Sequence, residues 1–138
     1  MIIGIGTDIC DIRRIENSLN KFGDRFVQKI FTVAEREYCE SRSNKAAYYA
    51  KRFAAKEAVA KALAGEATGA LSWQDVEIYN QPSGRPRIRL HGGAMQRLET
   101  LLPDGHRGIL HLSLSDDPPY AIAFVTIEAI SLTDVRLS

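Results

Sequence analysis

The chain has 138 residues, 45% of them hydrophobic and 25% charged, with a formal net charge of +1. That length and apolar content fit one domain, residues 1–138, with a core of its own. The near-zero charge argues against a nucleic-acid-binding module, which would need a basic chain with aromatics interleaved among cations. Only two cysteines occur, Cys10 and Cys39, far apart and without metal-ligand spacing. The expectation is a cytoplasmic protein with reduced thiols. The start of the chain has no basic segment, long apolar run or cleavage site, so neither a signal peptide nor a membrane span is expected.

Residues 1–9 read as a strand. Ile3, Ile5, Thr7 and Ile9 fall on one face, and Gly4, Gly6 and Asp8 on the other. Glycines inside a strand mark close approach of a backbone or a ligand, so Asp8 sits on a cleared face. Asp8 also reads as a cap for the helix that follows. An amphipathic helix is predicted at about 11–21, with Ile12, Ile15 and Leu19 at core spacing. A short helix follows at 24–30. Arg13, Arg14, Lys21, Arg25 and Lys29 concentrate positive charge here, as a solvated face or as a docking surface for an acidic partner. Thr32 and Glu35 form a capping-box pattern opening a helix to about residue 41.

The long helix is predicted over residues 45–64. At about 100° per residue, Arg52, Lys56, Glu57 and Lys61 share roughly half its circumference. Ala55, Ala58, Val59 and Ala62 fill the other half and allow close packing. One carboxylate among three cations suits a metal ion with a phosphorylated ligand. The Glu57–Lys61 spacing is equally that of an ordinary i,i+4 pair on a solvated helix. Two carboxylates on separate elements, Asp8 and Glu57, match the donor set Mg²⁺ takes alongside phosphate oxygens and water.

Strands are predicted at 75–79 and 86–90, joined by the turn residues Asn80 to Arg85. A helix follows at 94–102, stopped by Pro103. Strands at 109–115 and 120–128 form a second hairpin around Asp116, Asp117, Pro118 and Pro119. Helices segregated from antiparallel hairpins indicate an α+β fold. His111 alternates with Leu110 and Leu112 and so points away from the face they bury.

Three motifs carry a resemblance: Gly4-Ile5-Gly6-Thr7-Asp8-Ile9, then Arg14-Ile15-Glu16, then Arg52-Phe53-Ala54-Ala55-Lys56-Glu57-Ala58 with Lys61-Ala62. With Gly84-Arg85-Pro86, His111 to Ser115 and Tyr120 to Ala123, the chain resembles the holo-[acyl-carrier-protein] synthases over nearly its whole length. These are the small bacterial branch of the 4'-phosphopantetheinyl transferases. The resemblance implies that family's fold, a homotrimer with active sites between subunits, and a role in fatty acid biosynthesis. It implies transfer of 4'-phosphopantetheine from coenzyme A to a serine of apo-acyl carrier protein, releasing adenosine 3',5'-bisphosphate. Asp8 and Glu57 would hold Mg²⁺, and Lys61 would neutralise a phosphate oxygen. Arg52, Lys56 and His111 would bind the other phosphates, and Gly84, Arg85 and Pro86 would lie beside adenine and ribose. Arg14 and Arg25 would meet the acidic carrier protein. The base for the serine proton is left between Glu57 and a metal-bound water oriented by Asp8. A non-catalytic coenzyme A or nucleotide-binding protein of the same fold is the alternative, disfavoured because both carboxylates are present. One departure from the family stands at residues 64–69, where a Gly-Thr-Gly loop is common and this chain has Ala-Gly-Glu-Ala-Thr-Gly.

Overall fold

The computed structural model describes residues 1–65 and 71–133. Most of the divergent loop at 64–69 therefore lies outside the described residues. Strand β1 (Ile2–Asp11) pairs antiparallel with β5 (Tyr120–Ser131), which pairs with β4 (His106–Asp117), giving a three-stranded sheet in the order β1-β5-β4. A separate two-stranded sheet joins β2 (Val76–Asn80) to β3 (Pro86–Leu90). Helices α1 (Ile12–Phe22), α2 (Asp24–Ile30), α3 (Val33–Glu40), α4 (Lys45–Ala62) and α5 (Gly92–Leu101) complete the α+β architecture. None of the described helices is long and apolar enough to cross a membrane.

The glycines of β1 have a definite purpose. A Cβ at Gly6 would fall on the carbonyl oxygen of Ala58, and one at Gly4 on that of Ala62. Strand and helix thus meet backbone to backbone, which only glycine opposite alanine permits. Asp8 is the next residue on that face, so the same contact carries it to the side of α4. The cap of α1 is Asp11, whose carboxylate accepts from Arg13 N at 2.9 Å. Asp8 is thereby freed of the capping role.

A register shift between Ile2 and Gly4 breaks the expected alternation at Ile3, which packs against the core. Ile5 and Ile9 keep the other face, and both stay exposed. The capping box at α3 forms as expected, with Glu35 N donating to Thr32 Oγ1 and Thr32 N to Glu35 Oε1. The second hairpin is longer than predicted at both ends. Asp116 and Asp117 extend β4, and Asp117 pairs with Tyr120, so the turn narrows to the two prolines.

Helix α4 has no fully solvated side. The sheet covers its alanines, and α1, α3 and β2 pack on other parts of its surface. Ala50, Ala54, Ala55, Ala58 and Val59 are all buried, and so are Arg52 and Lys56. Around them the core is completed by Phe31, Tyr49, Ala123, Val125 and Ile127.

Candidate active site

Asp8 reaches the site from β1, and Glu57 and Lys61 from the last turns of α4. Lys61 Nζ donates to Thr7 O at 2.9 Å and to Asp8 Oδ1 at 3.0 Å. The Glu57 carboxylate has no hydrogen bond or ion pair among the described residues. Burial pushes its pKa up, as does the nearby charge of Asp8, against the opposing pull of Lys61. Both carboxylates line one cavity of about 570 Å³ with Arg14, Ser18, Phe26 and Phe53.

Two carboxylates face one cavity and repel each other: Asp8 is paired with Lys61, whereas Glu57 is unpartnered and reluctant to ionise. A hard divalent cation relieves that repulsion and takes oxygen donors of this kind. No group of three or more His, Cys, Asp or Glu side chains with metal-binding geometry occurs among the described residues. Any ion held here therefore fills its remaining positions from water and ligand, as Mg²⁺ does. Cys10 lines the same cavity, but burial and the Asp8 charge push its thiol up to about 11, which leaves it unreactive.

A second groove, of about 330 Å³, lies between α3, α4 and the β2–β3 turn. Arg52 is 2% exposed at its floor. Its Nη2 donates to Asn80 Oδ1 at 2.5 Å, while its Nε is buried without a partner. Tyr38 carries two guanidinium groups, Arg52 at 4.0 Å and Arg42 at 4.3 Å from the ring centre. Asn80 Nδ2 also donates to Gly84 O at 2.9 Å, fixing the turn. Gly84 has φ +92°, a conformation L side chains rarely adopt. Arg85 is exposed beside it, and Pro86 opens β3. Cationic walls, an aromatic plane and an unpaired N–H suit a phosphorylated, planar ligand. Tyr38, Arg42 and Asn80 escaped the sequence reading. Only the position of Asn80 at the head of a turn signalled one of them.

The expected single face with three cations is not what forms. Lys56 turns inward, its side chain 1% exposed, and its Nζ lies 2.8 Å from Glu35 Oε1. It cannot reach a ligand from there, so Lys56 is withdrawn as a phosphate contact. The physical reason is Glu35, which arrives buried from α3 and draws the ammonium away from solvent.

His111 lies elsewhere again. It projects from the outer face of the three-stranded sheet, with Nε2 3.0 Å from Glu128 Oε1. That is the face of Ile5 and Ile9, opposite the one from which Asp8 meets α4. One copy of the chain therefore does not bring His111 to Asp8 and Glu57. Arg14 and Arg25 also part: Arg14 lines the carboxylate cavity, whereas Arg25 is exposed on α2 outside it.

The fold is shared with known proteins. Residues 4–125 match the family model of the 4'-phosphopantetheinyl transferase superfamily. The chain belongs to that superfamily. It is 57% identical over 130 residues to the holo-[acyl-carrier-protein] synthase of Methylobacterium sp. (strain 4-46), covering 94% of this chain and 96% of that one. Among solved structures, the holo-[acyl-carrier-protein] synthase of Neisseria meningitidis aligns with a TM-score of 0.77 at 38% identity, over 93% of this chain and 99% of that chain. The Helicobacter pylori synthase in complex with coenzyme A aligns with a TM-score of 0.74 at 30% identity, over 90% and 99% of the two chains. Asp8 of β1 and Glu57 of α4 line one cavity, to which α1 adds Arg14 and Ser18 and α2 adds Phe26.

Proposed function

We propose that this chain is a holo-[acyl-carrier-protein] synthase serving fatty acid biosynthesis. It transfers 4'-phosphopantetheine from coenzyme A to a serine of apo-acyl carrier protein. The serine oxygen forms a bond to the phosphorus of the pantetheine phosphate. The pyrophosphate P–O bond breaks, adenosine 3',5'-bisphosphate leaves with the bonding pair, and the serine proton passes to a base. That base would be Glu57 or, with the ion bound, a water oriented by Asp8.

Asp8 and Glu57 would hold Mg²⁺. When bound, the ion would supply charge neutralisation and orientation for the phosphates. Lys61, half exposed and paired with Asp8, adds a cation beside that carboxylate for a phosphate oxygen. Arg14 lines the cavity and meets the carrier protein as it brings its serine in. Arg25 extends that contact over α2, where exposed charge steers an acidic partner. Arg52, with its unpartnered Nε, and the turn at Gly84, Arg85 and Pro86 take the nucleotide end of coenzyme A.

We read the working form as a homotrimer of a single domain. The outer sheet face exposes Ile5 (62%), Ile9 (61%), Ile122 (40%) and Phe124 (44%) side by side. A contiguous apolar face of this kind is the mark of an interface. His111 stands on the same face, so association would carry it toward the carboxylates of a neighbouring copy. Cys10 and Cys39 are both free and buried, in keeping with a cytoplasmic site of action.

The observation that carries the reading is the convergence of Asp8 and Glu57, from separate elements, on one cavity that also holds Arg14. The test is incubation with coenzyme A, Mg²⁺ and apo-acyl carrier protein, followed by mass spectrometry. A phosphopantetheine adduct on one serine is expected, lost in Asp8→Ala and Glu57→Ala proteins that still fold. No adduct from wild-type protein would end the proposal.

A further inference from the structure

Lys56 and Glu35 are left without a chemical task, yet they form the most completely satisfied buried polar cluster around α4. Lys56 Nζ donates to Glu35 Oε1, to Trp73 O at 2.9 Å, and to Val76 O. Glu35 Oε1 also accepts from Thr32 N at 2.9 Å, and Glu35 Oε2 accepts from Ile78 N at 2.9 Å. Every proton of the ammonium and both oxygens of the carboxylate are used.

The backbone partners have a pattern. Val76 and Ile78 are alternate residues of β2, so the carbonyl of one and the amide of the other point to the same edge. That edge faces away from β3, the only strand paired with β2 among the described residues. The ion pair therefore stands where another strand would stand, supplying one donor and one acceptor. Four residues back along α4, Arg52 donates to Asn80 Oδ1 at the end of the same strand. Helix and strand are thus joined at two points, which fixes the sliding position of the hairpin along α4. The hairpin carries Asn80, Gly84, Arg85 and Pro86. The helix carries Arg52 and Glu57.

We propose that Lys56 and Glu35 are a positioning pair that sets the register of the β2–β3 hairpin on α4, and so aligns the nucleotide groove with the Asp8–Glu57 cavity. The inference rests on the reading of that groove as the coenzyme A nucleotide site. A buried ion pair adds little stability over a well-packed apolar pair, so holding geometry is the better account of its presence here. Directional bonds to a strand edge select one register, whereas apolar packing tolerates sliding.

The test compares wild type with Lys56→Met, Glu35→Gln and the double variant. The double variant removes both charges and leaves no buried ion uncompensated. Each single variant leaves one buried ion without its partner, so the double variant supplies the folded protein if Lys56→Met or Glu35→Gln alone does not fold. Saturation curves for coenzyme A and for apo-acyl carrier protein are measured on the folded fraction, with direct titration of adenosine 3',5'-bisphosphate by calorimetry. A misplacement on the order of 1 Å at a positioning group is enough for a large loss. The expected result is a rise of about tenfold in the coenzyme A KM and in the bisphosphate Kd for the double variant, and a smaller rise for Glu35→Gln. The carrier-protein KM stays at its wild-type value, because α1 and α2 are not held by this pair. A coenzyme A KM and bisphosphate Kd within twofold of wild type in the folded variants would overturn the proposal. So would a fall in kcat with both of these constants unchanged. Failure of the functional reading is seen separately, as the absence of adduct from wild-type protein.

Discussion

Replacing Gly6 by alanine adds a single methyl group at the contact that unites the two halves of the carboxylate cavity. The new Cβ would lie 3.0 Å from both Ala58 C and Ala62 N, and closer still to Ala58 O. Carbon atoms rest comfortably at about 3.5–4.0 Å, so β1 and α4 must separate by something on the order of 1 Å. The obstacle is helix backbone, which cannot rotate aside as a side chain would. Overpacking of this kind costs about 1–3 kcal/mol, and a backbone obstacle places it near the top of that range. The loss of glycine's unfolded-state freedom returns about 0.4–1 kcal/mol. A net loss of about 2 kcal/mol corresponds, for a chain of this size, to a melting temperature lower by roughly 5–10 °C. The functional effect is larger, because the same separation moves Asp8 away from Glu57, and such misplacement can cost on the order of 100-fold in rate. Circular-dichroism melts at one fixed protein concentration, with transfer measured on the same samples, test both parts. Gly93→Ala is the control, since its Cβ would find its nearest neighbour, Asp75 Oδ2, at an ordinary 3.7 Å. A Gly6→Ala protein that melts with wild type and transfers at full rate would refute the argument that β1 and α4 touch through this glycine.

Glu57 gives a pH prediction. Its carboxyl is held above the ordinary 4.5 by burial and by Asp8, so the folded state binds the proton more tightly than the unfolded one, and stability falls as pH rises past 4.5. In the absence of divalent cations, Glu57→Gln should raise the melting temperature near neutral pH and lose that advantage under acid conditions; a lower melting temperature throughout would contradict it. Arg25→Glu should raise the KM for apo-acyl carrier protein, more so at low salt, and leave that for coenzyme A unchanged. Arg14→Glu should lower kcat as well, because Arg14 lines the carboxylate cavity; identical saturation curves for the two variants would remove that distinction. Mixing Asp8→Ala chains with His111→Ala chains should restore part of the activity each lacks, provided sites form between copies; no recovery after co-refolding would place His111 outside the site. Phe124→Asp on the exposed sheet face should shift the mass measured by light scattering toward the monomer, and an unchanged mass would put the interface elsewhere.

The local signals in the chain were read well because they are local. The capping box at Thr32 and Glu35 lies within four residues, and it forms. The cleared face of β1 follows from alternation, and the position of Asp8 on it follows in turn. What escaped depends on partners distant in sequence. Lys56 has the spacing of a solvated cation, and nothing on its own helix announces that Glu35 will bury it. Asp116 and Asp117 have turn chemistry, but the register of β4 against β5 holds them in the ladder. Tyr38 and Arg42 come from the end of α3 and the turn after it, and Asn80 from the end of β2, so their groove exists only once α3, α4 and the hairpin are assembled. The separation of His111 from Asp8 could not be read from alternation within one strand, because it depends on which face of the sheet α4 covers.

The pairing of β1 with β5 also bears on how the protein is made. Asp8 lies opposite Ala123 in that ladder, so the strand holding the first carboxylate waits for the last strand before it has a hydrogen-bonded neighbour. At about 5–20 residues per second, translation leaves it waiting on the order of ten seconds. For that time an isoleucine-rich segment is available for mispairing with other nascent chains. Glycine lowers the tendency of such a segment to stack into ordered aggregates. Gly4 and Gly6, placed among Ile2, Ile3, Ile5 and Ile9, thus guard the segment on the ribosome before they seat it against α4.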